Sequence, residues 1–396
     1  MAIRTRVAVI GDPHIAVPRG EDDTRLECDP GRKLHGLSVE LLTRTIEEVN
    51  AYPGIAAALV LGDITRDSER FNHEVARELL ALLRMPYYIV LGNHDCRHER
   101  APGATYPGEE RLDRDEVAQW YAGAGLPGGM TRYVADLGGD VMLVVLDSAR
   151  TLAELAQEGG SLAQQDSGRA GEQQIAWLDG TLAQIVKAGR IPLVALHHAL
   201  LDQSPAEHPK HLLYSAFRNW RVLDAAPLEA VLRRHNVRLV LSGHLHAQSV
   251  NAANGLCNLV TSATVSYPHA WRVLEFTEST IEIESHPLES IPSCPALQVQ
   301  SRRWMAEGME VLIRGRVSGM ALLAGMATEL CSFVTASGWW PRFCDGTQAG
   351  FSVPEGLMPK TSPVQGVLYG QVAGLLNEYG AWKAARPDPR SLSIKL

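Results

Sequence analysis

Short runs of aliphatic and β-branched residues recur along the first two thirds of the chain, each breaking off into glycine and polar residues. They are Val7–Ile10, Ala57–Leu61, Tyr87–Leu91, Val141–Leu146, Ile191–Leu196 and Val237–Leu241. Near-continuous apolar runs of this length suit strands covered on both faces. Between them the apolar spacing turns helical. Leu37, Leu41, Leu42, Ile46 and Val49 form one stripe, Val75, Leu79, Leu80 and Leu83 another, and Gln174–Val186 and Leu228–Arg234 also read as helices. This alternation predicts an α/β fold with helices packed outside sheets.

After Leu259 the pattern changes to strand-like stretches at Ala270–Phe276 and Thr280–Glu284. Three prolines then fall between His286 and Pro295, which places a boundary near residue 288. A chain of 396 residues exceeds what one core usually supports. The expectation is therefore a main domain over residues 1–288 and a smaller C-terminal domain or extension over 289–396, serving as cap, dimerisation element or interaction element. Its most apolar stretch, Met320–Trp340, is broken by Glu329 and glycines and reads as a buried or amphipathic helix. Contact with a membrane surface is the weaker second reading of that stretch.

With 45% hydrophobic and 21% charged residues, the composition is that of an ordinary globular protein. The net charge of −8 without a basic block argues against a long nucleic acid as partner. A small anionic substrate stays open, because bound metal ions supply positive charge locally. Six scattered cysteines without a CxxC pair read as reduced thiols of a cytoplasmic protein. The run Val7–Ile10 is too short for a transmembrane segment or a signal-peptide core.

The polar residues that follow the strands carry the chemistry. Gly11-Asp12-Pro13-His14, Gly62-Asp63, Gly92-Asn93-His94-Asp95, His197-His198 and Gly243-His244-Leu245-His246 each stand where a strand gives way to a loop. That rim is where ligands bind in α/β sheets. Carboxylate, amide oxygen and imidazole suit iron, manganese, zinc or cobalt. In extended backbone, residues i and i+2 point the same way, so Asp12 with His14, and His244 with His246, can each aim two donors at one volume unless a turn offsets them. Singly these fragments are weak; the ordered set is what points to a metal site.

In this order the motifs resemble the calcineurin-like metallophosphoesterase superfamily, over about residues 5–285. The resemblance implies a four-layer α-β-β-α sandwich, two packed mixed sheets flanked by helices. It also implies two divalent or mixed-valence metal ions, one on Asp12, His14 and His246 and the other on Asn93, His197 and His244, with Asp63 bridging. His197 is preferred over His198 as the ligand, with His198 behind it. His94 would face the leaving-group oxygen, oriented by Asp67 or Asp95, and Asp95 reads more as a structural residue.

A closer resemblance is to the bacterial class III cyclic nucleotide phosphodiesterases and glycerophosphodiesterases. It rests on Gly31-Arg32-Lys33-Leu34-His35-Gly36, Leu146-Asp147-Ser148 and Gln174-Ile175-Ala176-Trp177-Leu178. The sequence departs from that branch in having Ala199-Leu200, not prolines, after the histidine pair. Two metal ions about 3.5–4 Å apart clamp a phosphoryl group and hold a hydroxide between them. The expectation is hydrolysis of a small phosphodiester, with a phosphomonoesterase second, a nuclease third, and a non-catalytic metal-binding scaffold as the alternative from another class. The resemblance also implies a homo-oligomer.

Overall fold

The computed structural model describes residues 3–20, 26, 33–95, 110–159, 166–204, 221–318, 344–345 and 363–396. Two six-stranded sheets make its centre. In the first, β1 (Ile3–Ile10), β2 (Ala57–Val60) and β3 (Tyr87–Ile89) run parallel. On the other side of β1 lie β10 (Ala270–Thr277), β11 (Thr280–Pro287) and β12 (Ser391–Lys395), joined antiparallel. The second sheet runs β4 (Tyr133–Asp136), β5 (Val141–Val145), β6 (Ile191–Ala195), β7 (Leu239–Ser242), β9 (Leu256–Val260) and β8 (Ser249–Ala253).

The layering follows from which side chains each strand sends to which face. Leu143 and Val145, Leu193 and Ala195, and Leu239 and Leu241 join the core shared with the first sheet. Their neighbours Val144, Val194 and Val240 pack instead with Leu178, Leu182, Leu228 and Leu232. Those leucines belong to α3 (Glu172–Lys187) and α4 (Ala225–Arg234). The first sheet is covered likewise by α1 (Ser38–Ala51) and α2 (Arg70–Leu80), through Leu41, Leu42, Ile46, Val49, Ala76 and Leu80. A strand with period-2 side chains and two covered faces must be apolar at every position, which is why the runs show no polar alternation. The expected four-layer α/β sandwich is the fold observed.

Three strand regions escaped the hydrophobic pattern. β4 is short, and the β8–β9 hairpin carries serine and asparagine among its apolar residues. Its turn is Asn254-Gly255 with φ of 52° and 81°, the Asn-Gly hairpin signal of two left-handed residues. β12 alternates Leu392 and Ile394 with serines, and Ile394 pairs with Ile281. β11 offers an open edge, and β12, a strand from beyond residue 288, pairs it. Helices α5 (Leu297–Ser318) and α6 (Pro363–Ala384) lie between. Met320–Trp340 falls outside the described residues. Among the described residues no helix is long and apolar enough to cross a membrane.

Beneath the rim, fully buried His73 contacts Ser68 Oγ (3.3 Å), Thr65 Oγ1 (3.5 Å) and Tyr121 Oη (3.1 Å). Burial, helped by the charge of Arg70, pushes this imidazole down to about 3. Its unfolded counterpart titrates near 6.5, so the unfolded state binds the extra proton first as pH falls. The stability from neutral His73 is complete above about pH 6.5 and is lost progressively toward pH 3. By pH 5 the expected loss is about 2 kcal/mol relative to pH 7. Urea unfolding at both pH values, with His73→Gln alongside, reads it; parallel pH slopes for the two proteins would refute it.

Candidate metal centre

The rim residues after β1, β2 and β7 converge because the backbone leaves those strands in a left-handed turn. Asp12, His14, Asp63, His244 and His246 all have positive φ, between 33° and 67°. This conformation is uncommon outside glycine, and its concentration here marks backbone bent to aim side chains. The simple i, i+2 expectation holds for one pair only. Asp12 and His14 both face His246, with Asp12 Oδ2 at 3.3 Å and His14 Nε2 at 3.0 Å from His246 Nε2. His244 turns the other way, its Nδ1 3.1 Å from Asn93 Oδ1. His197 Nε2 is also 3.1 Å from that oxygen.

Asp63 joins the two groups. Its Oδ1 accepts the His94 amide at 2.8 Å, while Oδ2 lies 3.4 Å from both His14 Nε2 and His197 Nε2. Ligands about 2.1 Å from one ion stand about 3.0 Å apart in an octahedron and about 3.4 Å apart in a tetrahedron. The separations around both groups match those spacings. Donors of Asp12, His14, Asp63 and His246 lie within 4.8 Å of one another, as do those of His197, His198 and His244.

The chemistry of the cluster is unsettled without a cation. Burial pushes Asp12 up to about 8, although His197 pulls it down. Burial pushes His244 down to about 4 and His14 well below the usual histidine range. Burial opposes charge on Asp63 and His197 too, but their mutual attraction prevails, holding Asp63 well below the carboxylate range and raising His197 to about 9. Asp12 Oδ1 and His14 Nδ1 are buried without a hydrogen-bond partner. Divalent ions would favour ionised carboxylate and neutral imidazole together, so the residues fit them.

Support around the donors is specific. His197 Nδ1 donates to Leu61 O at 2.6 Å, which turns Nε2 toward the cluster, the arrangement usual for metal-binding imidazoles. Asp95 accepts from Ile64 N (2.7 Å) and Gly92 N (2.9 Å), tying together the turns that carry Asp63 and Asn93. Gly92 and Gly243 are needed for closeness, since a Cβ at either would stand 2.2 Å from Asp63 Oδ1 or Asp12 Oδ1. His94 lies with its ring edge-on to His14, centroids 4.6 Å apart. Its Nδ1 meets Arg66 O and stands 3.3 Å from Asp67 Oδ1. Of the two expected orienting residues, Asp67 touches the imidazole and Asp95 holds the main chain.

His198 Nδ1 bonds Ser148 Oγ at 2.9 Å, and its ring lies 4.5 Å from that of His244. The two short motifs upstream prove to be one unit. Gln174 accepts from Asp147 N (3.0 Å) and donates to Asp147 O (2.6 Å), fixing the turn that presents Ser148 to His198. Sequence reading missed Lys33, Asp166 and Ser266. Lys33 Nζ is 3.3 Å from His94 Nε2, Asp166 Oδ1 accepts from Asn93 Nδ2 at 3.3 Å, and Ser266 Oγ is 3.2 Å from His246 Nδ1. Lys33 sat in a quoted motif, but no spacing rule links any of these three to their partners.

Residues 5–248 match the family model described as calcineurin-like phosphoesterase. The chain belongs to the calcineurin-like phosphoesterase family. Among curated relatives of this phosphoesterase is a probable cyclic nucleotide phosphodiesterase of Rhodopseudomonas palustris, 26% identical over 218 residues. That alignment covers 54% of this chain and 66% of the relative, so the chain spans just under two thirds of the relative's length. Among solved structures, a dimetal phosphatase from Danio rerio is 16% identical with a TM-score of 0.55, over 72% of this phosphoesterase and 97% of that chain. At that identity the likeness concerns the fold. A purple acid phosphatase from yellow lupin is 14% identical, with a TM-score of 0.47 over 72% and 52% of the two chains.

Proposed function

We propose that this phosphoesterase hydrolyses a small phosphodiester, of the cyclic nucleotide or glycerophosphodiester type, at a pair of metal ions. The observation that carries the reading is Asp63 Oδ2, 3.4 Å from a histidine nitrogen of each donor group. Asp12, His14 and His246 would hold one ion and Asn93, His197 and His244 the other, with Asp63 standing between the two groups. Manganese, iron, zinc and cobalt all suit this donor set. Two such ions would polarise a phosphoryl oxygen and lower the pKa of a water molecule.

The chain's own residues do the rest. In hydrolysis one water adds to phosphorus and one P–O ester bond breaks with its electron pair on the departing oxygen, which takes up a proton. His94 assists that oxygen, held by Arg66 O and Asp67 at its far nitrogen. The diester preference is supported by the Rhodopseudomonas palustris relative, named a probable cyclic nucleotide phosphodiesterase. A cytoplasmic setting accords with the buried thiols of Cys257 and Cys294, which stand outside any disulfide among the described residues.

Hydrolysis of bis(p-nitrophenyl) phosphate and p-nitrophenyl phosphate by chelated, manganese-loaded and zinc-loaded protein tests the reading. Metal-dependent turnover with preference for the diester is expected. Preference for the monoester would replace the substrate class with phosphomonoesters. No turnover by protein carrying two ions per chain would refute hydrolysis of simple phosphoesters.

A further inference from the structure

We propose that Lys33 donates to the ester oxygen that departs, from its place beside His94; this rests on the phosphoesterase reading above. Lys33 is only 7% exposed, an unusual burial for an ammonium. The next residue pins its backbone, since buried Leu34 donates its amide to Val265 O at 2.8 Å. The side chain runs to the metal centre, where Nζ lies 3.3 Å from His94 Nε2. Its charge acts on Asp12, His14 and His244, residues drawn from both donor groups.

The hydrogen-bond geometry assigns the donor. His94 Nδ1 faces two acceptors, Arg66 O and Asp67 Oδ1, so the ring hydrogen belongs there. The contact at Nε2 is then made by an N–H of Lys33. An ammonium carries three such hydrogens, so one can stay on His94 while another reaches an oxygen. With its ring hydrogen at Nδ1, His94 accepts at Nε2, 3.3 Å from Nζ, and so holds the ammonium as the group that donates to the departing oxygen.

The departing oxygen is the atom whose charge changes most, from neutral ester toward alkoxide. A fixed cation aimed at it gains in the transition state over the ground state, and so raises kcat. The effect grows as the leaving group becomes more basic. A lysine that merely filled space, or held a non-bridging oxygen, would show no such dependence.

The test compares Lys33→Met, Lys33→Arg, His94→Ala and the Lys33→Met/His94→Ala double variant with wild type. Each metal-loaded protein is assayed on bis(p-nitrophenyl) phosphate and on diphenyl phosphate, whose phenolate is the more basic leaving group. For Lys33→Met we expect a fall in kcat of about 10- to 100-fold on diphenyl phosphate, the range of a charge-assisted hydrogen bond. The fall should be several-fold smaller on the nitrophenyl ester, and arginine should restore part of it. Elemental analysis should find the metal content of wild type in every Lys33 variant. The loss should persist in the His94→Ala background, which separates a direct contact from one acting through His94.

Equal losses on both esters, depleted metal in Lys33→Met, or no further loss once His94 is gone would each overturn the assignment. Wild-type protein inactive on both esters would bring down the phosphoesterase reading itself, and this inference with it.

Discussion

Replacing Asp63 with asparagine is expected to lower metal-dependent turnover by at least about 10³-fold and to reduce bound metal from two ions per chain to one or none. The magnitude exceeds the roughly 10- to 100-fold cost of losing a residue that only supports a ligand. Asparagine keeps an oxygen where Oδ1 accepts the His94 amide, so the turn should survive. What disappears is the charge at Oδ2, the atom 3.4 Å from both His14 and His197. Without it, His197 loses the largest influence that offsets burial and raises its proton affinity. Elemental analysis beside kcat on bis(p-nitrophenyl) phosphate decides the matter. A variant holding two ions with wild-type activity would show that Asp63 does not bridge.

His94→Ala should cost about 10²- to 10³-fold in kcat while both ions stay bound, in keeping with loss of leaving-group assistance. None of the expected metal donors is removed, and Asp63 Oδ1 still accepts the backbone amide of residue 94. The variant should also unfold at nearly the wild-type urea concentration, because the ring fills a rim position rather than the core. A proportionate loss of metal would instead make His94 a structural support of the centre. Asp67→Asn offers a graded comparison: the carboxylate lies 3.3 Å from Nδ1, and its loss should cost less than loss of the ring.

Much of this was legible in the sequence because the strands are buried on both faces. Runs such as Val141–Leu146 and Ile191–Leu196 declare themselves, and the residues just beyond them fall on the rim by construction. The half-polar hairpin β8–β9 hid its period, although Asn254-Gly255 was there to be read. The supporting contacts were invisible for another reason. Asn93 to Asp166, His94 to Lys33 and His246 to Ser266 are tertiary meetings set by how loops fold over the rim. The division of His244 from His246 was likewise beyond simple spacing, since it depends on left-handed backbone at both residues.

The pairing of β1 with β10 has a consequence for synthesis on the ribosome. Val7 sits opposite Leu274, so the edge of β1 that does not pair β2 must wait for a partner about 270 residues behind it. At about 5–20 residues per second, that wait is on the order of tens of seconds. Throughout it Val7–Ile10 presents an unpaired edge to other nascent chains, a recognised route to aggregation. Asp12 and His14 emerge early as well, yet His244 and His246 arrive only near the end of the same interval. Expression yield should therefore depend on chaperone supply more than on metal supply, because metal can be gathered only after this seam has nearly closed.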